Sequence, residues 1–346
     1  MFKIDLRLIV LYLQVCLAIG ALRAEEAYSR QQDGFEVLGT RNEFWAIEVV
    51  PSLGGKVISL QDQISRREWL WSRLEDRSLK KDPRFGFGNL MGADELLPNL
   101  KPETLQGHAL PDHGEVWSSS VDWDADLLES SGVLKTYLDL KVLPLRYSRE
   151  ISLDGAMVRI RFIVENLSEK KIPFLWAWHP IFTVKAGDKM YLDTVPPEFL
   201  VVGHPGLGQV SIGDVITWPG LEAGVDLSQL SFPEIPKAGI KVYSDSPADG
   251  RILLSNTFTG AALTVEYDLG FLPYLSLWLS RGVWGNAHHL ILEPTNRASE
   301  YLSDETEKLK SSGWLLRRER REWEIRLTNH SVRTSAEPAS GDNFIH

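Results

Sequence analysis

The segment Met157-Val158-Arg159-Ile160-Arg161-Phe162-Ile163-Val164 constrains the fold most tightly. Val158, Ile160, Phe162 and Val164 fall on one face, and Arg159 and Arg161 on the other. A period of two belongs to a strand with one buried face and one wet face. Asp154-Gly155 just before it is a hairpin signal that leads back to Arg149–Leu153. Trp45–Val50, Lys56–Leu60, Leu263–Tyr267, Leu275–Leu279, Leu290–Glu293 and Trp323–Leu327 repeat the theme. Gly54-Gly55, Pro111-Asp112, Asn166 to Lys170, Pro196-Pro197 and Ala248-Asp249-Gly250 supply turns between them. No long segment carries the helical period, and only Ser303–Ser311 reads as a short helix. Gly86-Phe87-Gly88 does not join a strand to a helix, which argues against a nucleotide-binding α/β fold. Many strands without alternating helices predict an all-β antiparallel sandwich or barrel.

Residues 1–24 read as a secretory signal. Lys3 and Arg7 precede an apolar run from Leu8 to Leu22, too short to span a bilayer comfortably, and Ala24 is a plausible cleavage position. The expectation is an exported protein, periplasmic or secreted, with no stable membrane insertion after cleavage. The whole chain has 37 basic and 47 acidic residues; loss of Lys3, Arg7, Arg23 and Asp5 leaves 34 and 46, a net charge of −12. Cys16, the single cysteine, lies inside the signal, so the mature chain has no thiol for a disulfide or a cysteine zinc site. An acidic chain with no basic block is not built to hold nucleic acid. No linker divides residues 25–330, which read as one domain, and 331–346 form a polar tail expected to be disordered. Oligomeric state is not readable.

Three segments break the apolar pattern. In Pro111-Asp112-His113-Gly114-Glu115-Val116-Trp117 a turn is expected to feed a strand with His113, Glu115 and Trp117 on one face. In Phe174 to Phe182, Phe174, Trp176 and Trp178 face one side, and Leu175, Ala177 and His179 the other. In His288 to Arg297, Glu293 closes an apolar strand, where a carboxylate is costly unless paired or functional. His179 and Glu293 each directly precede a proline. Proline withdraws a ladder donor, so each strand is expected to end there. His289 and Glu293 sit about 13 Å apart along one strand, too far to share an ion, so no metal site is expected.

These segments, read in order, resemble the aldose 1-epimerase (galactose mutarotase) superfamily. The matching stretches are Leu53-Gly54-Gly55-Lys56-Val57, Gly92-Ala93-Asp94-Glu95-Leu96-Leu97-Pro98, Pro111 to Trp117, Trp178-His179-Pro180-Ile181-Phe182, Leu272-Pro273-Tyr274-Leu275-Ser276-Leu277-Trp278 and Leu292-Glu293-Pro294-Thr295. They span roughly residues 35–330. The resemblance implies a large antiparallel β-sandwich with a sugar cleft across one concave sheet. It also implies cofactor-free interconversion of the α and β anomers of a free sugar or sugar derivative. Ring opening needs a proton taken from the anomeric hydroxyl and one given to the ring oxygen, tasks suited to a carboxylate and an imidazole. Histidine's ordinary pKa near ~6.5 makes both its forms accessible near neutrality.

By that resemblance Glu293 is the catalytic base, His179 the general acid, and His113 a second histidine on the ring-oxygen side; the sequence does not decide which histidine is the acid. Asp94, Glu95, Asp268 and Arg297 are candidate sugar contacts, and Trp117, Trp178 and Trp278 candidate stacking platforms, although most of the 12 tryptophans are expected in the core. Asp94-Glu95 stand where the best-known epimerases carry an arginine, and their hydroxyl-binding aspartate motif is not evident. Sugar preference therefore does not transfer. Two other readings use the same residues. One is a non-catalytic carbohydrate-binding protein. The other is a glycoside hydrolase or lyase pairing Asp94 or Glu95 with Glu293, which needs carboxyls about 5–9.5 Å apart.

Overall fold

The computed structural model describes residues 25–71, 78–82, 84–85, 91–192, 198–203, 210–221, 225–231, 237–245, 249–283, 288–303 and 313–332. The signal segment 1–24, Gly86-Phe87-Gly88, Pro196-Pro197, nearly all of the expected helix at Ser303–Ser311, and residues 333–346 lie outside them. Among the described residues no helix is long and apolar enough to cross a membrane.

The alternating segment forms the strand Met157–Asn166, paired antiparallel with Leu145–Asp154 from Asp154↔Met157 to Leu145↔Asn166. Gly155 at the turn has φ +56°, the left-handed region a two-residue hairpin demands. Val158, Ile160, Phe162 and Val164 are buried, while Arg159 and Arg161 reach outward to Glu324 and Glu322. A short helix unforeseen in the sequence, Ala125–Ser131, is capped by Asp124, whose carboxylate accepts from the Leu127 N–H at 2.9 Å.

This hairpin belongs to an eight-stranded sheet. Its spatial order is Asp188–Leu192, Arg251–Asn256, Ala262–Tyr267, Arg320–Asn329, Met157–Asn166, Leu145–Asp154, Leu134–Asp139 and Asp122–Trp123. The second sheet has eleven strands. Its order is Glu26–Gln32, Phe35–Arg41, Trp45–Val50, Lys56–Asp62, Ala93–Leu96, Ala177–Thr183, His288–Thr295, Tyr274–Arg281, Ala238–Asp245, Glu198–Gly203 and Val215–Thr217. Every pairing recorded within these two sheets is antiparallel, and one apolar core joins them. The chain is an all-β antiparallel sandwich. Trp45, Trp69, Trp71, Trp176, Trp178, Trp218 and Trp323 are buried, as expected for most of this residue type.

The strands carrying His179 and Glu293 do not end at the prolines. They run on through Pro180 to Thr183 and through Pro294 to Thr295. Their mutual ladder is recorded from Thr183↔His289 to Ile181↔Ile291 and resumes only at Ala177↔Thr295. Both prolines lie inside that gap, where each lacks the N–H a ladder needs. Pairing on the far sides, Pro180↔Ala93 and Pro294↔Leu275, carries the strands through.

Candidate active site

Alternation in the eleven-stranded sheet sorts the candidate residues by face. On Ala93–Leu96, Glu95 points between the sheets, where Arg149 of the facing sheet binds its carboxylate at 2.8 Å. Trp178, opposite Glu95, points the same way and packs with Ile151, Val158 and Ile160. Glu95 and Trp178 are therefore parts of the core and not of a sugar cleft. Asp94 and His179, one residue along on the same strands, face outward as partners in register.

The outward face carries a continuous row. Lys56 meets Asp94 at 2.5 Å, and Asp94 lies opposite His179. His179 faces Glu293, which lies opposite Ser276, itself opposite Tyr243. His179 Nε2 is 3.6 Å from Glu293 Oε1, too long for a hydrogen bond, so neither group is locked to the other. Only 3% of His179 and 2% of Glu293 is exposed. Trp278 lies on the same face one step away, half-buried against Trp71, Ile181 and Ile291.

His113 reaches the row from a loop and not from the expected strand. His113 and Gly114 both adopt left-handed backbone, with φ +59° and +74°. A Cβ on Gly114 would sit 2.2 Å from the Leu97 carbonyl oxygen, so only glycine fits this turn. The turn sends Glu115 away from His113: the Glu115 carboxylate is buried and accepts from the Lys141 and Val142 N–H groups at 2.7 and 3.1 Å. Gly54 braces the same loop by donating to the Ser119 carbonyl at 2.6 Å. Asp112 accepts from His113 Nδ1 at 2.9 Å, which leaves Nε2 as an acceptor in the neutral ring. The His113 and His179 rings meet edge to face, centroids 6.1 Å apart.

Phe85, which the sequence reading passed over, closes this corner. It stacks on His113 at 3.6 Å and meets the edges of His179 and Trp117 at 5.5 and 5.1 Å. Phe85 also lines a small cleft with Leu53, Lys56, Asp94, Trp117 and Ser118; His113, His179 and Glu293 are not among its lining residues. Trp117 lines this cleft from the loop and not from the expected strand, and its indole N–H donates to the Asp112 carbonyl at 3.0 Å.

Two candidates fall elsewhere. Asp268 is exposed at the end of a strand of the eight-stranded sheet, and its carboxylate caps a turn by accepting from the Gly270 N–H at 2.8 Å. Arg297 is 1% exposed and donates to the Leu302 carbonyl at 3.3 Å, holding the loop after Glu293 in place. Among the described residues neither is recorded in contact with His113, His179 or Glu293. The sequence also passed over Lys241, whose ammonium is 3.8 Å from Glu293 Oε2.

Burial sets the charges. It drives His179 well below its ordinary pKa, with His113, Lys241 and Lys56 adding to the effect. Burial also lowers His113 to about 4, against the opposing pull of Asp112. Both rings are thus neutral near pH 7, which narrows the expectation that both protonation states are at hand. For Asp94, burial raises the carboxyl and Lys56 opposes it. Burial is the largest cause at His113 and Phe85 stacks on that ring, so Phe85→Ala is expected to hydrate it and lift its pKa from about 4 toward 6.5. Titrating the imidazole proton by NMR checks this. The wild-type fold loses stability as pH falls from about 6.5 toward 4, because the unfolded histidine takes up its proton first. In Phe85→Ala that loss shrinks.

No protein-family model matches the chain, and no curated protein matches it. Solved structures do. A galactose mutarotase-like protein from Clostridium acetobutylicum superposes with a TM-score of 0.63 at 14% identity, over 90% of this chain and 100% of that one. A galactose mutarotase-like protein from Lactobacillus casei gives 0.58 at 17% identity, over 85% and 100%. The galactose mutarotase related enzyme of Lactobacillus acidophilus gives 0.59 at 13%, over 90% and 100%. The fold is thus that of a galactose mutarotase-like β-sandwich.

Proposed function

We propose that the protein is an aldose 1-epimerase-like isomerase that interconverts the anomers of a free sugar or sugar derivative. The observation that carries this reading is the 3.6 Å approach of His179 to Glu293 across facing strands, without a hydrogen bond between them. An anomeric carbon carries its hydroxyl and ring oxygen on the same atom, so a base and a donor that stand close but unlinked can reach both. In this reading Glu293 takes the anomeric proton. His179 donates a hydrogen bond from its neutral ring to the ring oxygen, and the proton that Glu293 has taken passes to that oxygen as the ring opens, so the imidazole keeps its own proton. His113, turned by Asp112 to offer a lone pair at Nε2, accepts from a sugar hydroxyl. Reversal on the other carbonyl face closes the ring as the second anomer. Trp117 and Trp278 border the sugar, and Asp94 with Lys56 forms the polar wall of the cleft.

The two-carboxyl alternative loses Glu95, whose carboxylate is engaged by Arg149 between the sheets. A non-catalytic sugar-binding reading has one observation behind it: Phe85 covers both histidines and Glu293 is 2% exposed. Polarimetry and calorimetry on a panel of free aldoses separate the two. Catalysis accelerates the approach to anomeric equilibrium; binding alone releases heat without changing that rate. The catalysed rate is expected to be flat between pH 8 and 6, because both histidines are already neutral there, and to fall toward pH 4 as His113 takes up a proton. A rate that drops steeply above pH 6.5 would mean that imidazolium is the working form.

A further inference from the structure

The fold gives the two oxygens of Glu293 different neighbours. Oε1 faces His179 at 3.6 Å, and Oε2 faces the Lys241 ammonium at 3.8 Å. Lys241 lies on Ala238–Asp245, two strands from Glu293, and its ammonium sits 5.6 Å from the centre of the Tyr243 ring. The shorter contact of Lys241 is with Glu300 Oε1, at 2.7 Å. Glu300 is anchored in turn: Lys101 Nζ stands 3.8 Å away, and the Lys101 N–H donates to the Glu300 carbonyl at 3.0 Å. Charges therefore alternate along Lys101, Glu300, Lys241 and Glu293.

A carboxylate this deeply buried needs a cation to stay ionised. Its other neighbours do not supply one. His179 is neutral by burial, His113 likewise, and Ser276 and Tyr243 carry no charge. Lys56, on the far side of His179, is matched by Asp94. Among the described residues Lys241 is the one lysine or arginine within ion-pair reach of Glu293. Yet a full hydrogen-bonded pair would weaken Glu293 as a base. Glu300 prevents that by holding the ammonium at 2.7 Å and leaving Glu293 at 3.8 Å.

We propose that Lys241 is a positioning residue that keeps Glu293 charged, and that Glu300 restrains Lys241 so that Glu293 stays free to accept a proton. The proposal rests on the reading of Glu293 as the base. It makes the two substitutions act in opposite directions. Lys241→Met removes the cation, so the Glu293 carboxylate takes up its proton more readily than in the wild type, and Lys241→Arg restores it. Glu300→Gln releases the ammonium onto Glu293, so the carboxylate accepts a proton less readily and kcat falls several-fold. A purely structural role would lower activity in both without moving the Glu293 midpoint in opposite directions.

The test uses the full-length protein carrying ¹³C-labelled glutamate side chains, with the Glu293 signal assigned by its loss in Glu293→Gln. The midpoint of that signal is expected to rise in Lys241→Met, return in Lys241→Arg and fall in Glu300→Gln. Midpoints that stay together, or move the same way in Lys241→Met and Glu300→Gln, overturn the proposal. This readout needs no turnover, so an absence of anomerisation by the wild type would count against the proposed function while the titration still decides the role of Lys241.

Discussion

Glu293→Gln is expected to reduce catalysed anomerisation by about 10³-fold, the scale of a positioned acid/base group. The substitution keeps the shape of a side chain that is 2% exposed, so no cavity opens, and the fold should melt within a few degrees of the wild type. What it removes is the capacity to accept a proton at the oxygen facing His179. Asp94 cannot take over, because it lies on the other side of His179 and its carboxylate is bound by Lys56 at 2.5 Å. Initial rates by polarimetry, starting from a pure anomer, give the comparison. A variant within a few-fold of the wild type, with the fold intact, would remove Glu293 from the mechanism.

The second large effect is on stability. Arg149→Met is expected to cost about 3–5 kcal/mol, because removing one partner of a buried pair strands the other charge in the core. Glu95 and Arg149 are each 1% exposed, and Arg149 also donates to the Gly55 carbonyl. Replacing both, as Glu95→Leu with Arg149→Met, should recover much of the loss, since well-packed apolar residues substitute for a buried pair at little net cost. Denaturant unfolding of the wild type, the singles and the double closes the cycle. A single-variant loss below about 1 kcal/mol would show that water reaches the pair. The same variants separate face from function. With Glu95 on the core side, anomerisation per folded molecule is expected to survive Glu95→Leu/Arg149→Met.

That adjacent pair, Asp94 and Glu95, shows where a sequence stops being readable. The strand holding them is four residues long and buried on both sides, so no run of polar residues marks the outer face. One carboxylate belongs to the cleft wall and its neighbour to the core, and only the partners Lys56 and Arg149 tell them apart. The long strand Met157–Asn166 was legible because its two faces meet different surroundings. His179 and Trp178 were sorted correctly onto opposite faces by alternation, but which face turned inward depended on the second sheet. The turn at His113 was hidden by a pattern that reads equally as a strand, His-Gly-Glu-Val-Trp; Gly114 was the available signal. Lys241 looked like any polar residue alternating with Ile240 and Val242. Its meaning comes from Glu293 and Glu300, about 50 to 60 positions away in the chain. Phe85 offered no signal beyond being aromatic. The prolines misled because a missing N–H ends pairing on one side only, and each strand kept a partner on the other.

The central claim is that the outward row of the eleven-stranded sheet interconverts anomers through Glu293. Two-dimensional exchange spectroscopy on free aldoses at anomeric equilibrium tests it most directly, because no net reaction or coupled enzyme is needed. The account predicts exchange peaks between the α and β anomeric protons of at least one aldose, growing with wild-type protein concentration and disappearing with Glu293→Gln. Exchange that stays at the protein-free rate for every aldose tried, with a folded wild-type chain at high concentration, would contradict it.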